Sequence, residues 1–154
     1  MLTPYRLLPH DPALAQVLTL IQTEFAYMDG LIDPPSSVHA LTLTALQNPG
    51  HEVWSIGHPP AACVILTPKP PALYIGKLAV AAHVRRRGLA TILINTAAAR
   101  ARALGLTYLE LQTRVELVAN QAAFATMGFV ETDRTAHKGH DRPTTITYQR
   151  RILP

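Results

Sequence analysis

Between residues 73 and 113 the chain runs from strand to basic turn to helix to strand, and this succession most limits what it can fold into. Leu73–Val80 is a strand-like apolar run, Arg85-Arg86-Arg87-Gly88-Leu89-Ala90 is a turn, and Thr91–Leu104 is helical. Thr107–Thr113 then alternates Leu109 and Leu111 against Tyr108, Glu110 and Gln112, the period of a strand with one buried face. Two strands joined through a helix form a βαβ unit and run parallel. The chain therefore reads as α/β.

The turn itself is an anion site. The first amides of a helix have no internal acceptor, and the helix dipole places partial positive charge there. Gly88 has no Cβ, so a phosphate can approach the main chain, and Ala90 extends the clearance. The arginines add charge-assisted bonds to phosphate oxygens. A ligand carrying a pyrophosphate fits these features.

The remaining elements complete the order. Tyr5–Leu8 is an opening strand, and Asp11-Pro12 starts a helix whose apolar face is Leu14, Val17, Leu18, Ile21 and Phe25. Ser36 or Ser37 caps a second helix through Leu46, stopped by Asn48-Pro49-Gly50. Glu52–Ile56 and Ala61–Thr67 flank His58-Pro59-Pro60 as an antiparallel hairpin. Asn120 caps a short helix through Met127, and Phe129–Thr132 and Thr144–Arg150 are closing strands. The expected fold is a mixed, mostly antiparallel central sheet of about six to seven strands, flanked by helices, with one parallel βαβ unit. All 154 residues are expected to form a single domain.

Composition supports a packed core: 48% of residues are hydrophobic and 16% charged. A net charge of +4 suits an anionic ligand without demanding nucleic acid. The arginine run is short and lacks an aromatic platform, so no nucleic-acid partner is expected. A single cysteine, Cys63, excludes an intrachain disulfide and reads as buried and inert in an apolar strand. The start of the chain shows no charged-then-apolar leader, and no apolar run approaches a membrane span. A cytoplasmic protein without a membrane partner is expected.

With these elements in place, the chain resembles the GCN5-related N-acetyltransferase (GNAT) superfamily. Two stretches carry the resemblance: Leu78-Ala79-Val80 followed by Arg85-Arg86-Arg87-Gly88-Leu89-Ala90, and Asn120-Gln121-Ala122-Ala123-Phe124-Ala125-Thr126-Met127-Gly128-Phe129. The first matches the family's acetyl-CoA signature, Arg/Gln-x-x-Gly-x-Gly/Ala after a strand. The second is similar to its later Asn-containing helix ending in Gly-Phe. The resemblance implies an acetyl-CoA-dependent N-acetyltransferase acting on a primary amine in a ternary complex, with acetyl-CoA as co-substrate, no metal, and a homodimer as one common state. It implies that Arg85, Arg86, Arg87, Gly88, Leu89, Ala90 and Thr91 cradle the pyrophosphate. Pantetheine would run along Leu78, Ala79 and Val80 and meet Asn120 and Phe124.

The chain departs from the family pattern at Phe124, where members often carry an acid tyrosine. Phenylalanine cannot donate a proton, which opens the alternative of a non-catalytic acyl-CoA-binding module. Tyr148, and after it Tyr108, are the replacement acids. Glu110 is the leading base, with Glu116 and Glu24 behind it. Tyr74 stands where some members place a glutamate base. His137 and His140 lie in a polar loop that could wall the acceptor pocket, and they lack a third partner for a metal. Asp29 and Asp33 could attract a cationic amine.

Overall fold

The computed structural model describes residues 3–153. In chain order the elements are β1 (Tyr5–Leu7), α1 (Leu14–Phe25), α2 (Leu43–Leu46), β2 (Glu52–Ile56), β3 (Ala62–Lys69) and β4 (Ala72–Val80). They continue as α3 (Leu89–Ala103), β5 (Tyr108–Arg114), α4 (Val118–Thr126), β6 (Val130–Thr135) and β7 (Thr145–Arg151). The strands form one seven-stranded sheet in the order β1-β2-β3-β4-β5-β7-β6. Every neighbouring pair is antiparallel except β4 and β5, which are parallel as the βαβ unit requires. The hairpin of β2 and β3 also forms as expected.

Alternation along β3 divides the core. Val64 and Leu66 face the α3 side with Leu73, Ile75, Leu93 and Leu109. Cys63 and Ile65 face the α1 side with Val17, Ile21, Val53 and Ala79. Both layers are buried, so helices cover the sheet on each face. On α3 the covered positions are Leu89, Leu93, Ile94, Ala97, Ala98 and Ala101, a helical stripe whose alanines let the backbone lie close to the strands.

Most bounds shift by one to three residues, and at three places the capping or the helix itself differs from expectation. Asp11 does not cap α1 directly: its carboxylate accepts the Ala13 amide at 2.9 Å, and the helix begins at Leu14. The second helix is two pieces. Ser36 caps a 3-10 turn over Ser37–Ala40, and Thr42 caps α2 by accepting the Ala45 amide at 3.2 Å. Two competing caps six residues apart break what periodicity reads as one helix. Asn120 is inside α4 rather than at its cap, because the helix starts at Val118.

One ion pair ties the layers together. Arg100 of α3 donates to both carboxylate oxygens of Glu52 on β2, each at 2.8 Å, and Trp54 Nε1 donates to the same carboxylate at 2.9 Å. The Arg100 hydrogen bond holds the Glu52 carboxyl below its ordinary range, against the opposing effect of burial. A depressed carboxyl stabilises the fold above its unfolded pKa, and that contribution is lost as pH falls through the folded one. Glu52→Gln should cost about 1–3 kcal/mol. Thermal melts should show Tm falling by about 2–4 °C per kcal/mol at neutral pH, with the gap to wild type closing in acid.

Candidate acyl-carrier and acceptor site

The site begins with a defect in the sheet. Ile65 pairs with Gly76 and Cys63 with Ala79, so Lys77 and Leu78 together oppose Val64 alone. This bulge bends β4 and increases its local twist. Lys77 sits at φ +51°, a left-handed conformation uncommon for a residue with a side chain. Pairing of β4 with β5 ends at Tyr74 and Glu110. Beyond that point β4 stays with β3 while β5 stays with β7 through Arg114. The sheet parts between its two parallel strands.

A cavity of about 1000 Å³ occupies the parting. One wall is β4 from Tyr74 to Val80, and the other is β5 from Leu111 to Arg114. At one end lies the arginine turn. Arg86 and Gly88 both have positive φ, +65° and +76°, and Gly88 immediately precedes α3. The backbone amides from Arg86 to Thr91 have no protein acceptor among the described residues, and the first helical bond is that of Ile92 to Gly88 at 3.0 Å. Successive free N–H groups around left-handed residues form an anion-binding concavity. A Cβ added at Gly88 would meet nothing within 4 Å, so the space over the turn is open.

Most of the residues expected to hold the carrier border this cavity: Leu78, Ala79, Val80, Arg85, Arg86, Gly88, Leu89, Ala90, Thr91, Asn120 and Phe124. Arg87 is exposed and outside it. Arg85 is already engaged, its Nη2 donating to Glu24 Oε1 at 2.7 Å. That leaves Arg86 as the arginine of the run that lines the cavity without an ion-pair partner among the described residues. Phe124 packs against Phe129 and Tyr148, ring centroids 6.3 and 6.1 Å apart, as a packing residue would.

The two side chains expected to move protons are placed elsewhere. Glu110 does not line the cavity, and its Oε1 accepts from Gln149 Nε2 at 2.9 Å. Tyr148 is buried in the core on the α3 side and does not line it either. Tyr108, Glu116, Asp29 and Asp33 are also outside the lining. Asp29 is engaged on the surface by His39 Nε2 at 2.6 Å, and Glu116 Oε2 accepts the Asp33 amide at 3.2 Å. Neither Asp29 nor Asp33 is thus placed to contact an amine inside this cavity.

Other groups take these places. Tyr74 lines the cavity where the strands part, and burial, followed by the charge of Glu110, raises its phenol above the ordinary value. His137 lines it from the loop between β6 and β7. The His137 backbone N–H donates to Thr144 Oγ1 at 2.9 Å, Nδ1 is bonded to the same oxygen, and that hydroxyl donates to the Thr135 carbonyl at 3.4 Å. When its one proton is so used, Thr144 would accept from Nδ1–H, the tautomer that leaves Nε2 with its lone pair. Burial lowers the His137 pKa, with Arg114 and His140 adding to the shift and Glu116 opposing it. Thr113 Oγ1 is buried against the cavity with no partner among the described residues. Lys77 and Arg114 also line the cavity. Periodicity ends a strand at Thr113 and leaves Arg114 just beyond it, and carries no sign that this stretch borders a cavity. Cys63 is buried, and burial pushes its thiol up to about 12, which makes it inert as expected. No group of three metal-ligating side chains occurs among the described residues. No helix there is long and apolar enough to cross a membrane.

A profile of the acetyltransferase (GNAT) family matches residues 16–129, which contain the β4 bulge, the arginine turn and α4. The chain belongs to this family. No curated protein matches it significantly. Among solved structures it is similar to the ribosomal-protein-S18-alanine N-acetyltransferase of Escherichia coli, with 20% identity and a TM-score of 0.72 over 99% of this chain and 94% of that one. It is similar also to a GNAT-family acetyltransferase from Staphylococcus aureus, with 13% identity and a TM-score of 0.74 over 98% and 100%. A third is the aminoglycoside 6'-acetyltransferase type Ii, with 14% identity and a TM-score of 0.77 over 99% and 98%. At such identities the likeness establishes a shared GNAT fold, and the acceptors of those enzymes remain their own.

The open turn makes a direct prediction. Gly88→Val puts a β-branched residue at φ +76° and a side chain into the space above the free amides. Calorimetry should show CoA affinity falling by more than tenfold, roughly the loss of a charge-assisted bond. Arg86→Ala should cost about tenfold to a hundredfold on the same grounds. Unchanged affinity in Gly88→Val would place the phosphates elsewhere.

Proposed function

We propose that this chain is an acetyl-CoA-dependent N-acetyltransferase, acting as a single domain on a primary amine by direct attack in a ternary complex. The observation that carries the reading is the continuity of one cavity. Free amides at the arginine turn sit at one end, the unpaired edge of β4 runs alongside, and a polar acceptor chamber closes the other end. The turn would hold the pyrophosphate, and Leu78–Val80 would align the pantetheine arm. Thr113 Oγ1, buried and unpartnered, is free to bond that arm. Holding thioester and amine together converts a bimolecular encounter into an intramolecular one, which supplies much of the rate.

The amine nitrogen attacks the thioester carbon, the carbonyl oxygen takes up negative charge, and the C–S bond breaks to release the thiolate. A main-chain N–H on the parted stretch of β4 stabilises the oxygen. His137 Nε2 is the proton acceptor we favour, because it lines the chamber in its neutral form, whereas Glu110 is held by Gln149. Tyr74 is the favoured donor to the thiolate, since its raised pKa keeps the phenol protonated and Phe124 offers no proton. Phe124 also sustains a second reading, an acyl-CoA-binding module without turnover. A cytoplasmic setting fits use of acetyl-CoA, and homodimerisation is compatible with it.

Release of free CoA from acetyl-CoA on addition of an amine panel tests the first reading against the second. Binding without turnover on any amine supports the second. If His137 is the base, the acidic limb of kcat at saturating amine should inflect below the ordinary histidine value of 6.5. His137→Gln should lower kcat by about 10²–10⁴ and abolish that limb. A wild-type limb persisting unchanged in the variant would assign the proton to another group.

A further inference from the structure

Lys77 and Arg114 converge on one short segment of chain. Lys77 Nζ donates to Ser37 Oγ at 2.9 Å, while Arg114 Nη1 and Nη2 donate to the carbonyls of Pro34 and Pro35 at 2.6 and 3.1 Å. Both side chains line the cavity, and neither has an ion-pair partner among the described residues. An ammonium has three donors and a guanidinium five, so each keeps N–H groups unused. Lys77 is brought here by the bulge, which holds it in a left-handed conformation that a regular strand would not require.

We propose, resting on the acyltransfer reading above, that the acceptor amine carries a carboxylate, which binds between Lys77 Nζ and the Arg114 guanidinium. Two half-buried cations facing one chamber repel each other, and burial adds to the cost of each charge. Both effects are registered at Lys77, where desolvation first and Arg114 second lower the pKa. An anion between them removes the repulsion and restores the lost solvation. The carboxylates nearby do not supply it. Glu24, the one acidic residue in the lining, is paired with Arg85. Asp33 and Glu116 act on the charge of Arg114 from outside the lining and do not ion-pair with it. A planar guanidinium beside an ammonium matches a carboxylate in charge and geometry. The carboxylate is a handle only: the amine nitrogen forms the new C–N bond and the carboxylate leaves unchanged.

The test measures CoA release with the proteinogenic amino acids, each beside its carboxamide and its aminophosphonate analogue, and with simple diamines. An amino acid should exceed its carboxamide in kcat/KM by about tenfold to a hundredfold, the worth of a charge-assisted contact. Lys77→Gln and Arg114→Gln should collapse that ratio toward unity through KM. Lys77→Arg, which keeps the charge, should preserve most of it. Acetyl-CoA affinity, read by calorimetry on each variant, shows whether the chamber survives the substitution. Preference for carboxamides, diamines or phosphonates overturns the proposal. So does binding of acetyl-CoA without turnover of any member of the panel. A loss of kcat at constant KM, equal in Lys77→Gln and Lys77→Arg, would make Lys77 a base and overturn it too. Failure of acetyl-CoA to bind removes the acyltransfer reading itself, and this proposal with it.

Discussion

One extra residue on β4 organises the site. With Lys77 and Leu78 opposing only Val64, the strand cannot keep both neighbours in register. It follows β3, and its pairing to β5 ends at Tyr74. The loss of ladder bonds beyond that residue would be costly if the freed groups were buried without partners. They border a cavity of about 1000 Å³ instead, where a ligand rich in amide groups can replace the missing strand. The division of the core explains how the sheet tolerates this. The α3 layer ties β3, β4 and β5 together through Leu66, Leu73 and Leu109, beneath the point where the strands separate.

Much of the cavity's end at the arginine turn is main chain, and this decides what could be read in advance. A helix N-terminus behind a glycine is visible in sequence because the backbone geometry demands particular residue types. Gly88 is such a residue, and it lies in the left-handed conformation at the foot of α3. The hairpin of β2 and β3 and the parallel pairing of β4 with β5 were legible for the same reason: turn residues and a crossover helix constrain them locally. Local rules failed where they competed. Thr42 capped a second short helix, and Asn120 fell inside α4 because the helix began at Val118.

The acceptor half depends on side chains meeting from distant segments, and there the sequence was nearly silent. Alternation along β5 separates Glu110 from Leu111 correctly, but which stretch of the strand borders the cavity depends on where pairing with β4 stops. Glu110 is the last residue of β5 paired with β4, and its carboxylate accepts from Gln149, its register partner on β7. Tyr148 shares the face of Leu111 and is packed in the core on the α3 side. Lys77 had one signal, the neighbouring Gly76, since a glycine inside a strand often marks a bulge, but nothing local tells where a bulge aims its side chains. His137 could be assigned to a wall of the pocket, yet its ring is held at Nδ1 by Thr144, seven residues on.

Charge along the cavity follows a pattern that neither half explains alone. Free amides and Arg86 make one end positive, and Lys77 and Arg114 make the other end positive. Glu24 is the acidic residue of the lining, and its pairing with Arg85 stops it from acting as a free anion on either side. If Glu24 were unpaired, it would repel a phosphate and attract ammonium to the carrier end. Fixing it on Arg85 offsets part of that arginine's charge, and under the acyl-CoA reading leaves more of the work to backbone donors that need no charge. Such donors are held rigidly by α3 and lose no side-chain entropy on binding, so the exchange favours precise placement over raw attraction. Under the proposed acyl transfer, placement is what a thioester needs, because the nucleophile would reach it from the opposite end of the same cavity.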